Sequence, residues 1–120
     1  MEAKIHLFDK DQEFSTFTPG QVIFKDGEPG EFMYAVREGA VDIIVKGKVM
    51  ESVGPGSVFG EMALVDSKPR SATAIAQVES KLVLINRHRF TFLVQQTPFF
   101  ALQLMSIMAD RIRRMDGRAT

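Results

Sequence analysis

Turn-forming clusters interrupt the chain at short intervals between Phe14 and Asn86, and that rhythm limits the fold more than any other feature. Pro19-Gly20, Asp26-Gly27-Glu28-Pro29-Gly30, Glu38-Gly39, Lys46-Gly47 and Gly54-Pro55-Gly56 are all dense in residues that preset or release φ. Between them lie β-branched and apolar runs at residues 22–24, 32–37, 40–45 and 48–53, followed by runs at about 71–76 and 82–85. These runs are too short for helices, and Glu38-Gly39 and Lys46-Gly47 stand at hairpin spacing. Strands recurring every ~8–12 residues predict a sandwich or a barrel-like jelly roll.

The period then changes. Residues 87–96 read as a helix with Asn86 as its N-cap, and Pro98 opens a longer helix that runs to about residue 116. Thr97 caps that helix and Gly117 is a natural stop. Residues 1–13 form a polar arm, a short helix or a loosely docked segment, with Ile5, Leu7 and Phe8 as its apolar anchors. In the long helix, Ala101, Met105, Met108, Ile112 and Met115 recur at heptad-like spacing, with Phe100, Leu104 and Ile107 on the neighbouring face. Two readings stay open: a seam for a partner helix, or one wide stripe buried within the monomer. The expected organisation is a single domain over residues 1–120, with a β region at about 14–86 and helices at about 87–116.

Composition removes several functions. The 120 residues suit one core, and the 45% apolar content argues against disorder. The formal net charge of +0 gives no bulk attraction to nucleic acid or membrane surfaces. Without cysteine there are no disulfides, thiolate zinc sites, Cys-ligated clusters or thiol nucleophile. No secretory signal is visible, and no apolar run approaches the roughly 18 residues of a membrane helix, so a cytoplasmic protein is expected. His6 and His88 are isolated and read as surface residues, so no metal is expected. Asp9, Asp11 and Glu13 read as solvated, and Tyr34 as core or rim.

Residues 59–73 carry the chemistry. Gly60 and Glu61 precede a stretch, 61–65, able to form one helical turn, and Arg70 lies beyond it, preceded by Pro69 and followed by Ser71. A guanidinium offers a planar fork to a phosphate, and the first N–H groups of a helix have no acceptor of their own. Those near Met62 and Ala63 would face outward, and Gly60 lets a ligand approach the backbone. Glu61 would repel a phosphate, yet it would accept a hydrogen bond from a sugar hydroxyl. Ser71 can donate from its N–H and its hydroxyl. An anion at one end and a sugar alcohol at the other describe a ribose cyclic phosphate.

The run Phe59, Gly60, Glu61, Met62, Ala63, Leu64, then Pro69, Arg70, Ser71, Ala72, resembles the phosphate-binding cassette of the cyclic nucleotide-binding domain family. The likeness extends over about residues 14–115 and includes Pro19-Gly20, Gly27-Glu28, Phe32-Met33-Tyr34 and Gly39. The resemblance implies a mainly β fold with terminal helices: a jelly-roll-like β-roll of about eight strands followed by two C-terminal helices. It implies Arg70 on the cyclic phosphate, Glu61 on the ribose 2′-hydroxyl, and backbone contacts near Gly60, Met62, Ala63 and Ser71. Serine after the arginine looks more like bacterial cAMP receptors than cGMP receptors. The ligand expected is therefore cAMP, with cGMP the competitor, and no further cofactor or catalysis is expected.

In that family the last helix often covers the base and carries the signal, here to a protein partner or, through that helix, to a second copy. The small hydroxyl residues of the bacterial activator are replaced by Met115 and Asp116. Val53 and Val58 are candidate apolar contacts to the base, and Arg113 or Arg114 could stack on it. The alternatives are ordinary strand core for the valines and dipole complementation for the arginines. A DNA-reading helix-turn-helix of the activator type needs about 60 further residues, so none is expected in this chain. A β-roll kept only as an interaction scaffold is the alternative function.

Overall fold

A computed structural model describes Ile5, Leu7, Phe8 and residues 13–117, with backbone alone at 115–117. Eight strands precede and surround one short helix: β1 (Ser15–Phe17), β2 (Val22–Phe24), β3 (Phe32–Glu38), β4 (Val41–Val45), β5 (Lys48–Val53), β6 (Val58–Phe59), α1 (Met62–Asp66), β7 (Thr73–Ala76) and β8 (Ser80–Asn86). Two helices follow, α2 (Arg87–Gln96) and α3 (Pro98–Gly117). The strands form two antiparallel four-stranded sheets, ordered β1-β8-β3-β6 and β2-β7-β4-β5. This is the anticipated β-roll. Strand β6, of two residues, is too short to show an alternation, and β1 (Ser15–Phe17) carries Ser and Thr where β2, equally short, has Val-Ile-Phe.

Local chemistry explains the boundaries. Val45 pairs with Lys48, leaving Lys46-Gly47 as a two-residue loop with φ of 51° and 78°. Two positive φ values in succession match the twist of a tight hairpin. Asn86 caps α2 as expected, its Oδ1 accepting from the Arg89 N–H at 2.8 Å.

The first sheet is covered on both faces, so its strands bury both sets of alternating side chains. From β3, Met33 and Ala35 face the helices, while Tyr34 and Val36 face the interior of the roll. In β8, Val83 and Ile85 turn to the helices and Leu82 to the roll. The helix-side cluster is completed by Leu93 of α2 and by Phe100, Leu104 and Ile107 of α3. Ile5 and Phe8 of the N-terminal arm join it, with Phe8 meeting Phe100 edge-on at 6.0 Å. Leu7, the third expected anchor, is exposed. His6, Asp9 and Asp11 lie outside the described residues, and His88 and Glu13 are exposed.

The long helix divides its apolar residues between two faces. Phe100, Leu104 and Ile107 are buried, and Ala101 and Met108 are half-buried. Met105 and Ile112 are exposed, as are Phe99 and Leu102. A single stripe buried within the monomer is therefore excluded for this helix. The Met115 side chain lies outside the described residues. Among the described residues no single helix is long and apolar enough to cross a membrane.

Candidate functional site

The segment from β6 to β7 folds into a loop, a single helical turn and a return strand, and these line one side of a hollow. Gly60 makes the first bend with φ of 76°. A Cβ there would stand 2.8 Å from Arg70 Nη1, so glycine is required both by the backbone and by the neighbouring guanidinium. Glu61 follows as the N-cap of α1, yet its side chain makes no capping bond and is directed elsewhere. Met62 and Ala63 begin the helix, so their N–H groups have no intrahelical acceptor. At the far end of α1, Arg87 donates to the carbonyls of Leu64 at 2.7 Å and Ala63 at 3.3 Å. The first residue of α2 thereby holds α1 from behind.

Arg70 is oriented by the turn between β2 and β3. Its backbone N–H donates to Glu28 O at 2.8 Å, and its carbonyl accepts from the Gly27 N–H at 2.7 Å. Gly30 in the same turn lies so close that a Cβ would come within 2.2 Å of the Ala63 Cβ and 3.0 Å of Arg70 Cζ. The Arg70 side chain is only 6% exposed. Its Nη1 donates to Gly60 O at 2.6 Å and its Nη2 to Phe32 O at 2.5 Å. The guanidinium lies over the Phe24 ring, 4.0 Å from the centroid, above a layer in which Tyr34 and Phe59 stack at 5.0 Å. Nε is buried with no hydrogen-bond partner, and among the described residues no carboxylate lies at ion-pair distance. Burial pulls the guanidinium below its ordinary pKa, opposed by the nearby Tyr34, Glu61 and Glu28. The same burial raises the Tyr34 phenol, with Arg70 acting against it.

Glu61 is 3% exposed, and its counter-charge comes from the far end of the chain. Arg111 of α3 places Nη1 2.6 Å from Glu61 Oε1, and its Nη2 donates to the Val58 carbonyl. Its Nε lies 2.9 Å from Glu51 Oε2 of β5, an ion pair without hydrogen-bond alignment. Arg114, one turn on, pairs with the other oxygen of Glu51 at 2.6 Å. Neither Glu51 nor Arg111 stood out in the sequence. Arg111 sits one turn after Met108 and one turn before Arg114, on a common face of the helix, and that spacing was the available signal.

Two adjoining cavities receive these groups. The smaller, about 420 Å³, is bounded by Gly60, Glu61, Met62, Ala63, Arg70 and Ser71. The larger, about 750 Å³, runs under α3 between Val45 and Met50 on one side and Met108 and Ile112 on the other. Glu51, Glu61, Met62, Ser71 and Arg111 border both. The six residues singled out for the phosphate and ribose thus converge on one hollow.

The candidate base contacts fare differently. Val53 is 2% exposed and Val58 0%, and neither lines either cavity. Val53 sits inside the roll opposite Val41, and Val58 turns to the helix-side cluster while Phe59 turns inward. They are core residues, the alternative weighed for them above. Arg113 is exposed and lines neither cavity, whereas Arg114 borders the larger one. The side chains of Met115 and Asp116 lie outside the described residues.

Comparison with known proteins gives the family. The family described as the cyclic nucleotide-binding domain matches residues 14–97. The cyclic AMP receptor protein of Thermus thermophilus is 31% identical over 105 residues, covering 83% of this chain and 49% of that protein. A cGMP-dependent protein kinase of Toxoplasma gondii is 34% identical over 96 residues, covering 79% of this chain and 10% of the kinase. The chain thus spans half or less of the length of these relatives. The crystal structure of the Thermus thermophilus catabolite activator protein superposes with a TM-score of 0.77 at 31% identity, covering 88% of this chain and 53% of that one. A structure described as Sp-2Cl-cAMPS bound to PKAR CBD2 gives 0.71 at 25% identity, covering 87% and 71%. On sequence, fold and disposition of the cassette, this chain belongs to the cyclic nucleotide-binding domain family.

Proposed function

We propose that this chain is a non-catalytic receptor for a 3′,5′-cyclic nucleotide, cAMP foremost with cGMP as competitor, and that it acts in the cytoplasm. The observation that carries the reading is Arg70: a guanidinium 6% exposed, facing a cavity, with no carboxylate partner among the described residues and an unpartnered Nε. A buried cation without a counter-ion is costly unless an anion joins it. A cyclic phosphate supplies a single negative charge and oxygens for Nε and the remaining N–H groups. The N–H groups of Met62, Ala63 and Ser71 add donors around it. Glu61 faces the same hollow and accepts the ribose 2′-hydroxyl, held in place by its ion pair with Arg111. The larger cavity, lined by Met50, Met62, Met108 and Ile112, suits the flat face of a purine.

The output passes through α3. Arg111 and Arg114 join that helix to the rim of the hollow, so a bound ligand shifts the population of its positions. The exposed face at Phe99, Leu102 and Met105 is where a protein partner or a second copy reads the change.

The alternative, a β-roll scaffold that binds no cyclic nucleotide, draws on one observation. The Arg70 fork already donates to Gly60 O and Phe32 O. Calorimetric titration with cAMP, cGMP and their 2′-deoxy forms separates the two. Saturable binding with the ribo forms tighter than the deoxy forms is expected. A thermal melt unmoved by millimolar cAMP and cGMP would refute the receptor reading.

A further inference from the structure

Glu51 stands outside the cassette, on a different strand and in the other sheet from the Gly60-Glu61 bend, yet it meets both guanidiniums of α3 that face the roll. We infer that Glu51 is a positioning residue for ribose recognition: by gripping Arg111 and Arg114 it holds α3 over the hollow and aims Arg111 at Glu61. The inference rests on the receptor reading for its ligand clause and on the charge cluster alone for its structural clause.

A guanidinium is planar, so fixing one edge fixes the direction of the others. Glu51 Oε2 lies 2.9 Å from Arg111 Nε and draws that edge as an ion pair without hydrogen-bond alignment, while the Val58 carbonyl accepts from Nη2. With Nη2 bonded to Val58 and the Nε edge drawn toward Glu51, Nη1 meets Glu61 Oε1 at 2.6 Å. Arg114 then occupies the second Glu51 oxygen and stops that carboxylate from rotating away. Burial matters as well. The Arg111 side chain is 17% exposed and that of Glu61 4%, so their pairing is weakly screened and sensitive to small displacements. Glu61 without Arg111 would be a nearly buried carboxylate with no paired cation, driven to turn toward solvent. That turn alters how it accepts a ribose hydroxyl.

The cluster also makes the coupling reciprocal. If docking of α3 improves ribose recognition through Glu61, a ribose bound at Glu61 stabilises the docked helix by the same factor. Glu51 sets the strength of that exchange without contacting the sugar. Apolar contacts anchor the first half of α3 through Phe100, Leu104 and Ile107, whereas the turn bearing Arg111 and Arg114 is held to the roll by these charges.

The test uses Glu51→Gln, which keeps the shape and removes the charge, with Arg114→Met as a second variant acting from the other side of the same carboxylate. In ligand-free protein, amide hydrogen exchange at residues 108–114 should quicken about three-fold or more in Glu51→Gln, while Glu38→Gln on the surface leaves it unchanged. In titrations, the preference for cAMP over 2′-deoxy-cAMP should fall about three-fold or more in Glu51→Gln, and less in Arg114→Met. In a Glu61→Gln background the Glu51 substitution should change that preference no further. Wild-type exchange at 108–114 in both variants overturns the positioning role. An intact ribose preference in Glu51→Gln also overturns it, and an altered cAMP-to-cGMP ratio in its place would assign Glu51 to the base. A wild-type protein that binds no cyclic nucleotide refutes the receptor reading and the ribose clause together, while the exchange measurement still decides whether Glu51 holds the helix.

Discussion

Arg70→Lys asks more of the site than removal of the charge does, because it keeps the cation and destroys the fork. Arg70 performs two tasks at once: Nη1 and Nη2 tie down Gly60 O and Phe32 O, and the guanidinium borders the cavity. An ammonium has three donors, no plane and a shorter reach. It can satisfy one carbonyl or approach the ligand, and it stacks poorly on Phe24. Leaving one buried carbonyl unpaired costs about 1–3 kcal/mol of stability. The hydrogen bond to a charged phosphate that lysine cannot reproduce is worth about 1.5–3 kcal/mol, a loss of roughly 10- to 150-fold in affinity. Arg70→Ala should be more severe. Truncating one member of a buried charge pair costs about 2–5 kcal/mol, or about 30-fold to several thousand-fold. Isothermal calorimetry gives the affinities, and urea unfolding of each unliganded variant confirms that it is folded at the titration temperature. A folded Arg70→Lys variant that binds within about three-fold of wild type would show that the fork is dispensable and refute the phosphate assignment.

Three further outcomes follow from the geometry. Glu61→Gln should cost less affinity than Arg70→Ala and should narrow the gap between ribose and 2′-deoxyribose ligands; an unchanged gap in calorimetry contradicts its role. Gly60→Ala forces a Cβ into a backbone at φ 76°, a strain of about 1–2 kcal/mol, and presses on Arg70 Nη1. Both urea stability and cyclic-nucleotide affinity should fall, and a variant of wild-type stability would remove the steric argument. Arg87→Ala removes the side-chain donor from the Leu64 carbonyl and the longer bond to the Ala63 carbonyl, which keeps the Ser67 N–H, at a cost of about 1–3 kcal/mol. Faster hydrogen exchange over residues 62–66 is expected, and wild-type protection there would mean that α1 does not need its prop.

Much of the fold could be read along the chain because turns and strands are local. Lys46-Gly47 fits a two-residue hairpin whatever surrounds it, and Asn86 can cap only the helix that follows it. The elements that escaped notice are those with too few residues to show a period. Val58-Phe59 pairs with Tyr34 and Ala35 as a strand, yet two residues carry no alternation to detect. That brevity also explains Val58. Its place before the cassette suggested a contact with the base, but β6 sends its side chain toward the helices and leaves only its carbonyl near the site. The cassette stood out because one stretch supplies the glycine, the acid and the arginine at set spacing. Its supports did not, because Glu51 and Arg111 are sixty residues apart.

By itself the sequence determined the longer strands and the helices, the turn chemistry and the composition of the anion-binding loop, since each depends on residues near one another in the chain. Only the tertiary structure decided which face of α3 is covered, which of its arginines turns inward, and what neutralises Glu61. Those outcomes depend on the angle at which a helix crosses a sheet, and a rotation of one residue, about 100°, would have presented a different side chain to the same carboxylate.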